Sequence, residues 1–305
     1  MNLIAIHNLR DSLRRHSWDY LELTKPRVVA LITFTAIGGM LLATPDMVPL
    51  DILFFGSLGI GLTAGSAAAI NHLVDRKADT IMARTRNRPL PSRHLESRQV
   101  MIFASFIGLC GFGLLLIFTN LLTAVLTFAS LIGYAVVYTL FLKRATPQNI
   151  VIGGAAGAAP PLLGWTAVTS QVDSGALLLF LIIYVWTPPH FWALAIHRRH
   201  EYANADIPML PVTHGVEFTR LHILLYAILL FIITIMPFLT GMSGCIYLIC
   251  AIALGIRFLT YAIKLYTTGD ECLALPTFSF SIFYLFGLFT ALMLDHYASH
   301  ILIAL

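Results

Sequence analysis

Charge is what this sequence has least of. Asp, Glu, Lys and Arg make up 11% of its 305 residues, against about 25% in an ordinary soluble domain. That deficit excludes a water-soluble globular fold. Cysteine is scarce too: Cys110, Cys245, Cys250 and Cys272 fall in or beside apolar runs with no ligand spacing. They exclude a disulfide framework and a thiolate metal site, and read as small core residues. The N-terminus carries no cleavable signal pattern. The apolar runs are continuous and do not alternate, which excludes a strand barrel.

What is present is hydrocarbon-compatible chain, 58% hydrophobic with a mean hydropathy of +0.83. Nine stretches, near 28–43, 52–70, 101–118, 121–141, 150–168, 175–196, 221–240, 244–265 and 276–294, approach or exceed the roughly 20 residues that a spanning helix needs. The expected fold class is an all-α polytopic membrane protein of nine transmembrane helices. The first span is bracketed closely by Pro26 and Pro45.

Lys and Arg sit on alternate connections. Arg10, Arg14, Arg15, Lys25 and Arg27 precede the first span; Arg76, Lys77, Arg84, Arg86, Arg88, Arg93 and Arg98 follow the second; Lys143 and Arg144 follow the fourth; Arg198, Arg199 and Arg220 follow the sixth; Lys264 ends the eighth. The intervening connections carry none. This asymmetry predicts a cytoplasmic N-terminus and an outer C-terminus, and it accounts for the +4 net charge without nucleic acid. Residues 1–27 read as a cytoplasmic or interfacial segment, and 28–305 as one domain with long cytoplasmic loops at 71–99 and 197–220. Both loops hold acidic, then basic groups, then prolines (Pro89 and Pro91; Pro208 and Pro211), an internal echo that suggests two facing sites. Gly153, Gly154, Gly157 and the alanines among them make a small-residue face, which serves close helix approach or leaves room for a bulky ligand. Pro160-Pro161 and Pro188-Pro189 are expected to kink their helices.

The chemistry concentrates in the first loop. If the second span continues as helix, Asn71, Asp75 and Asp79, each four residues apart, lie on one face. Two carboxylates and an amide oxygen suit Mg²⁺, which keeps waters and shares substrate phosphates. Arg84 and Arg88 are placed to grip the same phosphates in bidentate fashion. The bland alternative is a solvated helix end with i,i+4 charge pairs. The second loop offers His197 and Glu201, four apart, then Asp206, with Arg198 and Arg199 beside them; alone it is equally a surface loop. Among intramembrane groups, His190 is a ligand or substrate contact, or bonds a carbonyl freed by the prolines. Arg257 faces the interior or snorkels. Tyr134 and Tyr138 share a face and line a pocket or anchor an aromatic belt.

The pattern Asn71-x3-Asp75-x3-Asp79-x4-Arg84-Thr85-x2-Arg88 resembles the signature of the UbiA-type intramembrane prenyltransferases. Thr24-Lys25-Pro26-Arg27, the stretch from Asn149 to Pro161, Thr187-Pro188-Pro189-His190-Phe191-Trp192 and Ile207-Pro208-Met209-Leu210-Pro211 resemble its haem-directed branch in particular. The likeness runs from about residue 18 to 295. Where many members carry two aspartates in the second site, this chain has His197 and Glu201, leaving Glu201 as its candidate ligand. The resemblance implies a nine-helix bundle around a central cavity open to lipid, capped by the two loops. It implies transfer of a farnesyl group from farnesyl diphosphate to the 2-vinyl group of protohaem IX with water addition, giving haem O, at a bacterial inner membrane. Mg²⁺ would be held by Asn71, Asp75, Asp79 and Glu201, with Arg84 and Arg88 on the diphosphate and Lys25, Arg27, Arg198, His190, Arg257 and Tyr134 as substrate contacts. Downstream, it points to a haem A synthase or a terminal oxidase as partner. A prenyltransferase of aromatic quinone precursors is the near rival. A transporter, with polar groups at its midplane, and a structural subunit of a respiratory complex are the rivals from other classes.

Overall fold

The computed structural model describes residues 17–82 and 85–304. Arg10, Arg14 and Arg15, and Arg84 of the first loop, lie outside the described residues. The described chain is all-helical. Eight helices are long and apolar enough to cross a membrane: α3 (Ile52–Ile81), α4 (Ser97–Phe118), α5 (Leu121–Ala145), α6 (Asn149–Thr169), α7 (Ser174–His197), α8 (Gly215–Leu239), α9 (Cys245–Thr268) and α10 (Glu271–Ala298). The first predicted span differs. It is a pair, α1 (Ser17–Leu23) and α2 (Pro26–Leu42), bent by 53° at the break, so the count is eight spans, or nine if the bent pair crosses as one.

The cause of the bend is local. Pro26 opens α2 without an amide hydrogen to give, and it bars the preceding residue from the α region. Lys25 adopts the left-handed conformation instead, with φ 52°, at a cost of about 1 kcal/mol. Elsewhere proline does not end the helices: α6 carries Pro160-Pro161 and α7 carries Pro188-Pro189 inside their spans.

Two successions of four helices follow α2. Helix α3 packs on α4, α4 on α5 and α5 on α6, while α7 packs on α8, α8 on α9 and α9 on α10; α2 bridges them through α6 and α10. The crossing of α2 with α6 is a backbone contact. A Cβ on Gly39 would run into the carbonyl of Pro161, and one on Gly164 into that of Ala36. The small-residue face of α6 serves close approach at some positions and is open at others. Gly153 receives the Tyr138 ring, whereas Gly157 faces open space.

The bundle is apolar on its outside. Leu109 (68% exposed), Ile117 (74%) and Ile249 (68%) would be untenable in water and are ordinary against acyl chains. Inside, hydroxyls tie helices together: Ser66 Oγ donates to the Ala104 carbonyl across α3 and α4 at 2.7 Å, and Thr123 Oγ1 to Thr166 Oγ1 at 3.0 Å. Such polar contacts replace the hydrophobic drive that lipid removes. A groove of about 960 Å³, lined by Thr24, Thr33, Phe54, Gly61, Phe103 and Ile107 among others, opens sideways between α2, α3 and α4.

Gly164→Leu is expected to force α2 from α6, costing about 3 kcal/mol as overpacking. Thermal unfolding of the detergent-solubilised variant, followed by size-exclusion recovery, should show a clearly lowered midpoint; an unchanged midpoint would disprove the close crossing.

Candidate active site

Helix α3 runs on to Ile81, well past its apolar stretch, and carries Asn71, Asp75 and Asp79 as one buried face. Their exposures are 5%, 4% and 4%. Buried polar and charged groups must find partners, and basic side chains from three parts of the chain supply them. The left-handed turn at Lys25 aims its Nζ at Asn71 Oδ1, 2.6 Å away. Lys143, at the end of α5, places its Nζ 2.5 Å from Asp75 Oδ2. Arg88, on the loop after α3, donates from Nη1 to both oxygens of Asp79, at 3.0 and 2.8 Å. Asn71 Nδ2 donates to Asp75 Oδ2 at 2.9 Å and to Thr139 Oγ1 at 3.3 Å. Asp75 Oδ1 remains buried with no hydrogen-bond partner.

The loop is bound to its own helix. Thr85 Oγ1 donates to the Asp79 carbonyl at 2.9 Å, and Leu90 and Leu95 bury themselves with Leu23, Ala69, Val100 and Ala104. That packing holds Arg88 over Asp79. Lys25 lies outside the spanning helices and has only a neutral amide oxygen as its direct partner. Burial, and then the Arg88 charge, push its ammonium down to about 7, although Asp75 and Asp79 pull the other way.

The second loop begins with the short helix Arg199–Asn204. Glu201 Oε1 is 3.9 Å from Arg198 Nη1, while Glu201 Oε2 and Arg198 Nε are buried without partners. Arg199 turns away to Glu271 at 2.8 Å; His197 and Asp206 are exposed. Ile207, Met209 and Leu210 are buried in the main core together with Trp192 and Ile196, which fastens this loop to α7. Tyr138, on the stretch of α5 that stacks Tyr134 against it at 5.5 Å, interacts electrostatically with both Tyr202 and Asp75.

The remaining predicted residues are scattered. Arg27 is exposed on the first turn of α2. Arg257 is exposed on α9 and lies over its own helix neighbour Tyr261, 5.1 Å from the ring centroid, so it faces outward. His190 is 7% exposed, with Trp186 and Phe278 stacked on it at 4.2 and 4.5 Å. Its Nδ1 is 2.6 Å from Ser281 Oγ, whose own hydrogen goes to the Phe278 carbonyl at 2.6 Å. With the Ser281 hydrogen on the Phe278 carbonyl, the tautomer that fits carries its proton on His190 Nδ1 and leaves a lone pair on Nε2. Sequence reasoning treated Lys143 only as a topology marker, named Asn149 only as the start of a motif, and passed over Thr139 and Ser281. Asn149 is fully buried, with Oδ1 unpartnered and Nδ2 3.4 Å from the Lys143 carbonyl. For Lys143, the available signal was its place at the cytoplasmic end of a span, the same end as Asp75 and Asp79.

Among the described residues no three His, Cys, Asp or Glu side chains converge on one point. The α3 face by itself offers two carboxylates and an amide; Glu201 stands on the other loop and is not brought to the same point. Hard oxygens in this number fit Mg²⁺, which takes one or two carboxylates and completes its shell with waters and phosphates. The orphaned Asp75 Oδ1 is an acceptor awaiting such a partner.

A profile described as the UbiA prenyltransferase family matches residues 31–294. The chain is 60% identical over 287 residues to Protoheme IX farnesyltransferase 1 of Pseudomonas putida, covering 94% of this chain and 97% of that one. It is 61% identical over 282 residues to the Protoheme IX farnesyltransferase of Methylococcus capsulatus, covering 92% and 95%. Among solved structures, one described as digeranylgeranylglyceryl phosphate synthase in membranes superposes with a TM-score of 0.78 at 17% identity, covering 94% and 99%. A UbiA homolog from Archaeoglobus fulgidus bound to GPP and Mg²⁺ gives 0.62 at 15% identity, covering 90% and 99%.

Arg88→Met would leave the Asp79 carboxylate buried without a counter-charge, at a cost of roughly 3 kcal/mol. Its unfolding midpoint should fall, and adding Asp79→Asn should restore much of the loss. Additive destabilisation in the double variant would disprove the pairing.

Proposed function

The chain belongs to the UbiA prenyltransferase family, and we propose that it transfers the farnesyl group of farnesyl diphosphate to the 2-vinyl group of protohaem IX. The allylic C–O bond breaks, diphosphate leaves, the vinyl group attacks the farnesyl cation, and water supplies the hydroxyl of haem O. The likeness to protohaem farnesyltransferases over nearly the whole chain carries the choice of acceptor, and favours it over a quinone precursor. The buried face of Asn71, Asp75 and Asp79 amid basic side chains carries the choice of a diphosphate donor.

Mg²⁺, held by Asn71, Asp75, Asp79 and Glu201, would neutralise the diphosphate as it departs. Lys25, Lys143 and Arg88 stand against those ligands and supply further positive charge where negative charge develops. Arg84 and Arg198 are assigned to the outer phosphate oxygens, the latter because its Nε lacks a partner. No nucleophilic side chain is needed. The protein's work is to align donor and acceptor and to keep stray water from the cation. Tyr134, Tyr138 and His190 are the acceptor-side candidates; the lone pair on His190 Nε2 is the group free to meet haem iron. Arg27 and Arg257, both exposed, are better suited to lipid headgroups than to substrate.

The chain is a polytopic membrane protein, and we place it in the bacterial inner membrane with both long loops cytoplasmic, where Lys and Arg collect. Its product would pass to an enzyme or oxidase that uses haem O.

The deciding experiment is a pigment extraction from membranes with and without this protein. A haem heavier by one hydroxyfarnesyl unit should accumulate only with it, and its absence would overturn the assignment. Asp75→Ala and Asp79→Ala should each reduce that product roughly 100-fold or more while the protein remains inserted; activity within about twofold of wild type would remove them from the reaction. For the acceptor, His190→Ala should shift the Soret band of added haem and weaken its binding while leaving farnesyl diphosphate affinity unchanged. Equal loss toward both substrates would mean that His190 serves only the packing of Trp186 and Phe278.

A further inference from the structure

We infer that Ser281 is a positioning residue of the acceptor site: it holds the buried imidazole of His190 in the one tautomer and orientation that leave Nε2 as a lone-pair donor for porphyrin iron. The inference rests on the reading of His190 as an acceptor-side contact and deepens it.

Ser281 belongs to α10 and His190 to α7, and 91 positions separate them in the sequence. Ser281 is fully buried. Its hydroxyl makes two contacts of 2.6 Å, one to the Phe278 carbonyl and one to His190 Nδ1. One hydroxyl brings one hydrogen. The carbonyl has none to give, and two oxygens this close are joined by the hydroxyl hydrogen. The hydrogen in the second contact is therefore the imidazole's own. Phe278 lies one turn earlier on α10, so the direction of the hydroxyl is set by the helix that carries it. The imidazole conforms to that direction.

The ring is also clamped. Trp186, one turn before His190 on α7, stacks on it at 4.2 Å with planes 19° apart. Phe278 stacks on it at 4.5 Å and 27°. Two rings at such distances cannot share a face, so one covers each side. Trp186 is tied to the same serine, its Nε1 donating to the Ser281 carbonyl at 2.8 Å. Turning the imidazole over would put a carbon against the hydroxyl and lose the bond. With both faces covered and Nδ1 engaged, Nε2 is the ring's one polar atom that takes no hydrogen bond among the described residues.

An imidazole is prepared for a metal in this way: its far nitrogen gives its hydrogen to a fixed acceptor, which sets both the tautomer and the direction of the lone pair. Here the acceptor is a neutral hydroxyl, already committed to the backbone, so the ring is oriented without placing another charge inside the bundle. Without that hydroxyl the two ring nitrogens compete for one hydrogen. The tautomer that carries it on Nε2 presents an N–H to the iron and cannot ligate.

The test uses the purified full-length chain in lipid nanodiscs, with ¹⁵N-labelled histidine. In the haem-free wild type, the imidazole signals lost in His190→Ala should show a protonated Nδ1 and a bare Nε2. Ser281→Ala should show a mixture of tautomers. Quenching of tryptophan fluorescence then gives affinities for protohaem and for metal-free protoporphyrin IX. Ser281→Ala should weaken protohaem binding roughly tenfold or more and leave the affinities for metal-free porphyrin and for farnesyl diphosphate unchanged. Ser281→Thr, which keeps the hydroxyl, should stay near wild type. In a His190→Ala background, Ser281→Ala should cost nothing further. If Ser281→Ala cannot be purified folded, Ser281→Cys, a weak acceptor, is read in the same way. A wild-type His190 protonated on Nε2, equal weakening toward both porphyrins, or additive losses in the double variant would overturn the inference. If His190→Ala weakens protohaem binding and Ser281→Ala does not, only the role of Ser281 falls. If His190→Ala leaves protohaem affinity unchanged, the acceptor-side reading of His190 falls and the iron contact with it.

Discussion

Two carboxylates buried at the end of a membrane helix set the terms for the rest of this molecule. Asp75 and Asp79 are 4% exposed, and an unpaired ionised group in such surroundings costs several kcal/mol. The chain meets that cost with Lys143 and Arg88, while a third basic group, Lys25, bonds the neutral Asn71 amide beside them. It breaks its first helix at Lys25, ends α5 with Lys143, and folds the loop after α3 back so that Arg88 returns to Asp79. Each device has a sequence cause nearby: Pro26 for the break, the close of an apolar run for Lys143, and for the loop the Thr85 hydroxyl with Leu90 and Leu95 seated beside α1 and α4. Chemistry and folding thus draw on the same side chains.

The second loop is held by other means. The buried run Ile207, Met209 and Leu210 packs into the α7–α10 core and carries the short helix of Glu201 and Tyr202 with it. Tyr138 packs its ring over Gly153 of α6 and against Tyr134. In this arrangement small residues on α6 have a double use, admitting an aromatic ring at Gly153 and leaving space at Gly157. The double prolines are absorbed because each helix continues through them, and the side chains about His190 are fully engaged with Ser281, Trp186 and Phe278.

Much of the scaffold was legible in the sequence because lipid imposes a single strong rule, a sustained apolar run for each crossing. The spans of α4 to α10 follow it to within a few residues. The first span departed from expectation because hydropathy is blind to the backbone consequence of Thr24-Lys25-Pro26. The four-residue spacing of Asn71, Asp75 and Asp79 announced a shared face, but spacing along one helix cannot say what faces it. Lys143 is 68 residues from Asp75 and His190 is 91 from Ser281, and such pairs exist only once the helices have packed. Arg257 illustrates the converse: an isolated charge in an apolar run invites an inward reading, and the structure turns it outward onto Tyr261.

The groove between α2, α3 and α4 is lined almost wholly by apolar side chains, which suits a molecule that arrives through the bilayer. A molecule that reaches the protein by that route is met in two dimensions. Its effective concentration is a mole fraction among lipids, and its supply is set by lateral diffusion and by how much membrane or detergent shares it. Diluting the hydrophobic phase at constant total ligand would slow such an encounter as surely as removing the ligand. Kinetic constants for an amphiphilic ligand of this bundle therefore carry the amount of surrounding lipid within them.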